Sequence, residues 1–247
     1  MIILKSAEEI ALMKKAGEVV RDTLNLLQEH VKEGVTTEAL DRMAYEYIRK
    51  CGAKPSFLGY NGFPASICAS VNEEVVHGIP SKRVLREGDI VSIDVGAVLR
   101  GYQGDAARTY PVGKISAVNE KLIRVCEESF FKGVEQFQEG ARLGDISHAI
   151  QSHVEQNGFG VVRDLVGHGI GREMHEDPSV PNFGRAGRGV RLSKGLVLAI
   201  EPMISVGDYR VYVLDDNWTI VTADGKPAAH YENTVALTDN GILYTTL

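Results

Sequence analysis

Apolar residues recur every three or four positions near the start of the chain: Ile10, Met13, Val20, Leu24 and Leu27 fall on one stripe. That spacing predicts an amphipathic helix. Ser6, followed three residues later by Glu9, supplies the capping pattern expected at its start. A second such helix is expected with Asn119 as its cap and Leu122, Val125, Phe130 and Val134 on its apolar face. Two further helices are predicted in residues 31–52, VKEGVTTEALDRMAYEYIRKCG, and 137–158, FQEGARLGDISHAIQSHVEQNG, each between a Gly-containing turn and a Gly stop. Strand-forming residues dominate 90–109, IVSIDVGAVLRGYQGDAART, which reads as a hairpin with its turn at Leu99–Gly101.

These elements repeat. Glu33, Gly34 and Gly52 return as Glu139, Gly140 and Gly158, an offset of 106. Apolar positions match as well, as Val31/Phe137, Leu40/Ile146 and Ile48/Val154 do. LREGDIVSID at 85–94 matches LSKGLVLAIE at 192–201, an offset of 107, so Asp94 corresponds to Glu201. HGI at 77–79 also resembles HGI at 168–170, and the halves carry extra residues near 53–76 and 174–190. Two copies of this length point to one domain over 1–247, with halves 1–112 and 113–247. The expected class is α+β, with helices outside a curved antiparallel sheet and equivalent strand ends meeting near the centre.

Composition narrows the function. The chain is 44% hydrophobic and 24% charged, as a soluble globular protein is. No apolar run is long enough for a membrane span, and MIILKSAEEIALMKK lacks the features of a secretory leader. Cys51, Cys68 and Cys126 show no CxxC spacing and read as reduced thiols of a cytoplasmic protein. With 27 basic and 33 acidic residues, net charge −6, and no basic block, a direct nucleic-acid site is not expected.

The hairpin poses a problem of charge. Asp94 and Asp105 fall on one face of it, within apolar sequence, and buried carboxylates need a partner or a cation. Glu201 ends VLAIE, Glu232 lies in the alternating run AHYENTVAL, and His168 sits among glycines in GHGIG, where close approach and unusual backbone angles are expected. Each taken alone has an ordinary reading as a solvated or structural residue. The repeat makes them a set: four carboxylates and one imidazole match two divalent ions. Oxygen-rich donors with one nitrogen suit Co, Mn, Fe or Zn in a hydrolytic centre.

At this point the motifs resemble a known family. HGIP at 77–80, SIDVG with GDAARTY within 92–110, GHGIGREMHEDP at 167–178, AIEPM at 199–203 and HYENT at 230–234 resemble bacterial type I methionine aminopeptidase, end to end and in order. The resemblance implies a pita-bread fold and removal of the initiator Met from nascent polypeptides when the next residue is small, through attack of a metal-bridging hydroxide. It implies Asp94 and Asp105 on one ion, Asp105 reaching a second held by His168 and Glu201, and Glu232 bridging both. His175 would stabilise the oxyanion, Glu201 would carry the proton to the leaving amine, and His77 would contact substrate backbone. Phe57, Tyr60, Phe63, Cys68, Met174 and Trp218 match the family's methionine pocket, although residue type alone would make them core. Phe57 and Asn233 stand where many bacterial members have Cys and His. A monomer with no membrane contact is implied, and transient ribosome association is left open. Two other readings remain at this stage: a proline-directed peptidase of the same fold, and a binding protein that has lost catalysis.

Overall fold

The computed structural model describes all 247 residues. Four helices form: α1 (Ala7–His30), α2 (Thr37–Lys50), α3 (Ala117–Val134) and α4 (Leu143–Gln156). The α1 cap is the expected box: Glu9 N donates to Ser6 Oγ (3.3 Å) and Ser6 N donates to Glu9 Oε2 (3.0 Å). Such caps contribute about 1 kcal/mol. The cap of α3 corrects the expectation. Ser116, with extended backbone, holds that position, and Asn119 lies inside the first turn, donating its backbone N–H to Ser116 Oγ.

The repeat is expressed in backbone hydrogen bonds. Gly34 N donates to Leu85 O and Leu85 N to Val35 O; in the second copy Gly140 N donates to Leu192 O and Leu192 N to Ala141 O. Gly34 and Gly140 take φ of 87° and 84°, where a side chain would be strained. The same turn therefore joins α1 to α2 and α3 to α4, and in each half it is tied to the segment that leads into a sheet strand.

Strand Ile90–Leu99 pairs along one edge with Tyr102–Pro111 and along the other with Lys54–Pro55 and Ile67–Val71. Its turn is Arg100–Gly101, both with positive φ, as a two-residue hairpin requires. In the second half, five antiparallel strands run in the order Gly241–Tyr244, Asn233–Thr238, Val197–Ile200, Val166–Gly169, Glu176–Pro181. Two three-stranded sheets complete the fold: Ala228–His230 with Met203–Ser205 and Gly160–Val161, and Val211–Val213 with Ile220–Thr222 and Glu74–Val76.

The helices cover one side of each main sheet. Leu24 and Leu27 of α1 and Leu40 and Ile48 of α2 pack with Ile67, Ile93 and Val95. Leu122 and Phe130 of α3 and Ile146 and Ile150 of α4 pack with Leu198 and Ile200. Strand alternation then fixes the rest. With Ile93 and Val95 turned to the helices, Asp94 and Gly96 must face the other way, toward the second half.

Candidate active site

The acidic residues converge on that inner face. Asp94 stands opposite Ala107 and Asp105 opposite Gly96, so the two carboxylates are diagonal neighbours on one side of the hairpin. Glu232 arrives from the other half. It lies between strands Ala228–His230 and Asn233–Thr238 rather than within a continuous strand. Its backbone pairs instead with the hairpin: Glu232 N donates to Ala107 O (3.0 Å) and Ala107 N to Glu232 O (3.3 Å). Thr234 Oγ1 accepts from Asp105 N and donates to Asp105 O, and the Arg108 guanidinium donates to Glu232 O and Asn233 Oδ1.

Glu201 follows directly on strand Val197–Ile200, which pairs with the His168 strand at Ala199. The GHGIG glycines serve close approach alone. None of Gly167, Gly169 or Gly171 takes positive φ, so the unusual backbone angles expected there are absent. A Cβ would lie 2.4 Å from Ala199 O at Gly167 and 2.2 Å from Asp177 O at Gly169. Packing of neighbouring chain segments is what those positions require. His168 Nδ1 lies 2.9 Å from Gly169 O and must donate to it, because a carbonyl only accepts. Nε2 is thereby left with its lone pair, 3.7 Å from Asp105 Oδ2 and 3.6 Å from Glu201 Oε1.

Burial sets the electrostatics. It pushes the Asp94 carboxyl up to about 7. Asp105, Glu201 and Glu232 are raised well above the usual carboxylate range, first by burial and then by the neighbouring acids. Burial lowers His168 to about 4, so its imidazole is neutral. Asp94 Oδ1, Asp105 Oδ1 and Glu232 Oε1 are buried with no hydrogen-bond partner. Unpartnered buried carboxylate oxygens are rare and costly. A divalent cation among them would satisfy them and reverse the protonation these acids otherwise favour.

The remaining expected residues gather at the mouth. Tyr60 Oη lies 2.7 Å from His175 Nδ1, and the His175 and His168 rings are 4.3 Å apart between centroids. Burial lowers the pKa of both His175 and His77. Phe63 meets Trp218 edge-on at 5.1 Å, and Trp218 faces the His77 ring at 6.3 Å. A cavity of about 190 Å³ is lined by Phe57, Tyr60, Phe63, Cys68, His77, His175 and Trp218 together with Asp94, Asp105, His168, Glu201 and Glu232. Met174 does not line it. It is buried with Tyr102 and Ile170 in the cluster against which Phe57 and Tyr60 pack. A Cβ on Gly96 would lie 2.8 Å from both Met174 Cε and Phe57 Cε1, so glycine at that position admits these side chains.

Three residues at the site escaped the sequence reading. Asn61 lines the cavity, Arg108 braces Glu232 from behind, and His230 is buried beside Glu201 and Glu232. His230 carried a legible signal, since in an extended segment it shares a face with Glu232 two residues on.

Residues 11–239 match the pattern of metallopeptidase family M24. The chain belongs to that family. A methionine aminopeptidase of Clostridium acetobutylicum is 63% identical over 242 residues, covering 98% of this chain and 97% of its own. The crystal structure of a methionine aminopeptidase from Thermotoga maritima matches with a TM-score of 0.98 at 50% identity, covering 100% of this chain and 99% of that one. A prolidase from Pyrococcus furiosus shares the fold alone, with TM-score 0.80 and 24% identity over 65% of its length. Within M24 the chain stands with the bacterial type I methionine aminopeptidases, and its architecture is the pita-bread fold. Membership of M24 implies use of divalent metal, and the buried carboxylate and imidazole groups form a candidate cluster for it. No helix is long and apolar enough to cross a membrane.

Proposed function

We propose that this M24 chain removes the initiator methionine from nascent polypeptides whose second residue is small, using two divalent ions, in the cytoplasm. The observation that carries the reading is a set of buried, unpartnered carboxylate oxygens beside a small aromatic-lined cavity. Asp94, Asp105, His168, Glu201 and Glu232 would hold the ions, which supply Lewis acidity at the scissile carbonyl and activate water. Donors of this kind accept Co, Mn, Fe or Zn. We read residues 1–247 as one catalytic domain, each half, 1–112 and 113–247, contributing ligands. The chain would act as a monomer, meeting the ribosome only transiently.

The protein's own groups do the rest. Phe57, Tyr60, Phe63, Cys68 and Trp218 enclose the methionine side chain, and Met174 backs the pocket from the cluster beneath. His77 contacts the substrate backbone. Glu201 delivers a proton to the departing amine. His175 is kept neutral by burial. With the Tyr60 hydroxyl donating to Nδ1, its Nε2–H is available to the developing oxyanion. A donor so placed is worth about 3–4 kcal/mol. His175→Ala is therefore expected to lower kcat by about 10²–10³-fold with metal content unchanged, as measured by steady-state kinetics alongside elemental analysis. Native kcat in that variant would remove His175 from the reaction.

Peptide competition tests the assignment itself. Met-Ala-Ser should release Met at least about tenfold faster than Met-Ile-Ser, and Ala-Pro should be left intact. Preferred cleavage of the proline peptide would instead place the activity with the prolidases.

A further inference from the structure

His230 belongs to no role assigned above, yet it is as buried as the acids it faces. Its side chain is 2% exposed and its Nε2 has no hydrogen-bond partner. That nitrogen lies 3.6 Å from Glu201 Oε2 and 3.7 Å from Glu232 Oε2. Both distances are too long for hydrogen bonds. An ordinary core histidine would satisfy its ring nitrogens, because a buried orphan is costly.

The environment of His168 gives the comparison. Its Nε2 stands 3.6 and 3.7 Å from two carboxylate oxygens, the same spacing. Donors sharing one ion at about 2.0–2.2 Å sit roughly 3–3.6 Å from each other, depending on the coordination angle. Asp94, His230 and Glu232 form one group whose donor atoms all lie within 4.8 Å of one another, and Asp105, His168 and Glu232 form the other. Glu232 is common to both, so the centre presents one imidazole on each side of it.

The backbone holds His230 in place. His230 N donates to Thr109 Oγ1 (3.0 Å), Thr109 Oγ1 donates to His230 O (2.9 Å), and the residue pairs with Met203 across the sheet. Thr109 belongs to the same strand as Asp105, so the element that carries an acid also fixes this imidazole.

We propose that His230 Nε2 is a sixth protein donor of the metal centre, ligating the ion held by Asp94 and Glu232. The proposal rests on the two-ion reading above and adds to it. The donor set would then be four carboxylates and two imidazoles, and more nitrogen shifts preference toward Zn and Co and away from Mn.

The test counts imidazoles. The full chain is chelated, reloaded with two equivalents of Co²⁺ and examined by proton NMR for exchangeable, hyperfine-shifted imidazole N–H signals. Two are expected in the native protein and one in both His230→Gln and His230→Ala, with the other signal kept. The visible Co²⁺ absorption should change in the same variants. A single signal in the native protein, unchanged by either substitution, overturns the proposal and leaves the two-ion centre intact. Failure of the native protein to bind Co²⁺ at all overturns the centre itself. The native count decides even if both variants fold poorly.

Discussion

Asp105→Asn should abolish most of the activity while leaving the fold in place. Asp105 is 4% exposed, its backbone is fixed by Thr234, and its carboxylate faces His168. The amide keeps the shape but loses the negative charge and a strong metal donor. Losing metal-derived stabilisation of several kcal/mol corresponds to a fall in kcat/KM of about 10³-fold or more. The expected result has three parts: that loss in kcat/KM, weaker metal binding by calorimetry, and an unchanged or raised thermal midpoint for the metal-free protein. The last part follows because burial and the neighbouring acids drive metal-free Asp105 toward its neutral form, which the amide matches in shape and charge. Near-native turnover with full metal loading would detach Asp105 from the centre.

The second large effect is on stability. In metal-free protein, Asp94 is raised from 3.8 to about 7 by burial. Asp105, Glu201 and Glu232 are raised as well, by burial and by each other. A carboxyl whose folded value exceeds its unfolded value favours folding below the unfolded value and loses that contribution as pH rises through the folded one. The chelated protein should therefore become less stable from about pH 4 to pH 7, the interval between the unfolded and folded values of Asp94. For Asp94 alone the difference is on the order of 4 kcal/mol, or a fall in Tm of roughly 10 °C for a chain of this size. Bound cations hold the acids ionised, so the loaded protein should show no such fall. Calorimetric scans across that range, with chelator and with metal, read both curves. Parallel curves would show that these acids do not titrate against a vacant centre.

Much of this site was legible because it rests on short-range rules. Period-two alternation put Asp94 and Asp105 on one face, and the Arg100–Gly101 turn sets the register that pairs Asp94 with Ala107 and Gly96 with Asp105 and makes the carboxylates diagonal neighbours. The repeat identified Glu201 as the counterpart of Asp94, and the duplicated bonds at Gly34 and Gly140 are its structural form. What escaped depends on contacts between distant segments. His230 shares a face with Glu232 in the local pattern, but its orphaned nitrogen appears only once Glu201 is folded against it. The break at Tyr231–Glu232 arises because Glu232 pairs with Ala107, 125 residues earlier, in place of a strand neighbour. Ser116 outcompetes Asn119 as a cap because both residue types suit the position and the helix's first turn decides between them. In the sequence Gly96 is one more residue of a strand; only the fold shows that its missing side chain admits Phe57 and Met174 from two separate insertions.

Metal removal and restoration, followed by metal content and methionine release on one sample, decides whether the buried acids act through bound cations. Chelation should stop release of Met from Met-Ala-Ser, and activity should return with added Co²⁺ or Mn²⁺ in step with binding to those acids. Undiminished release from protein verified to be metal-free would contradict that expectation.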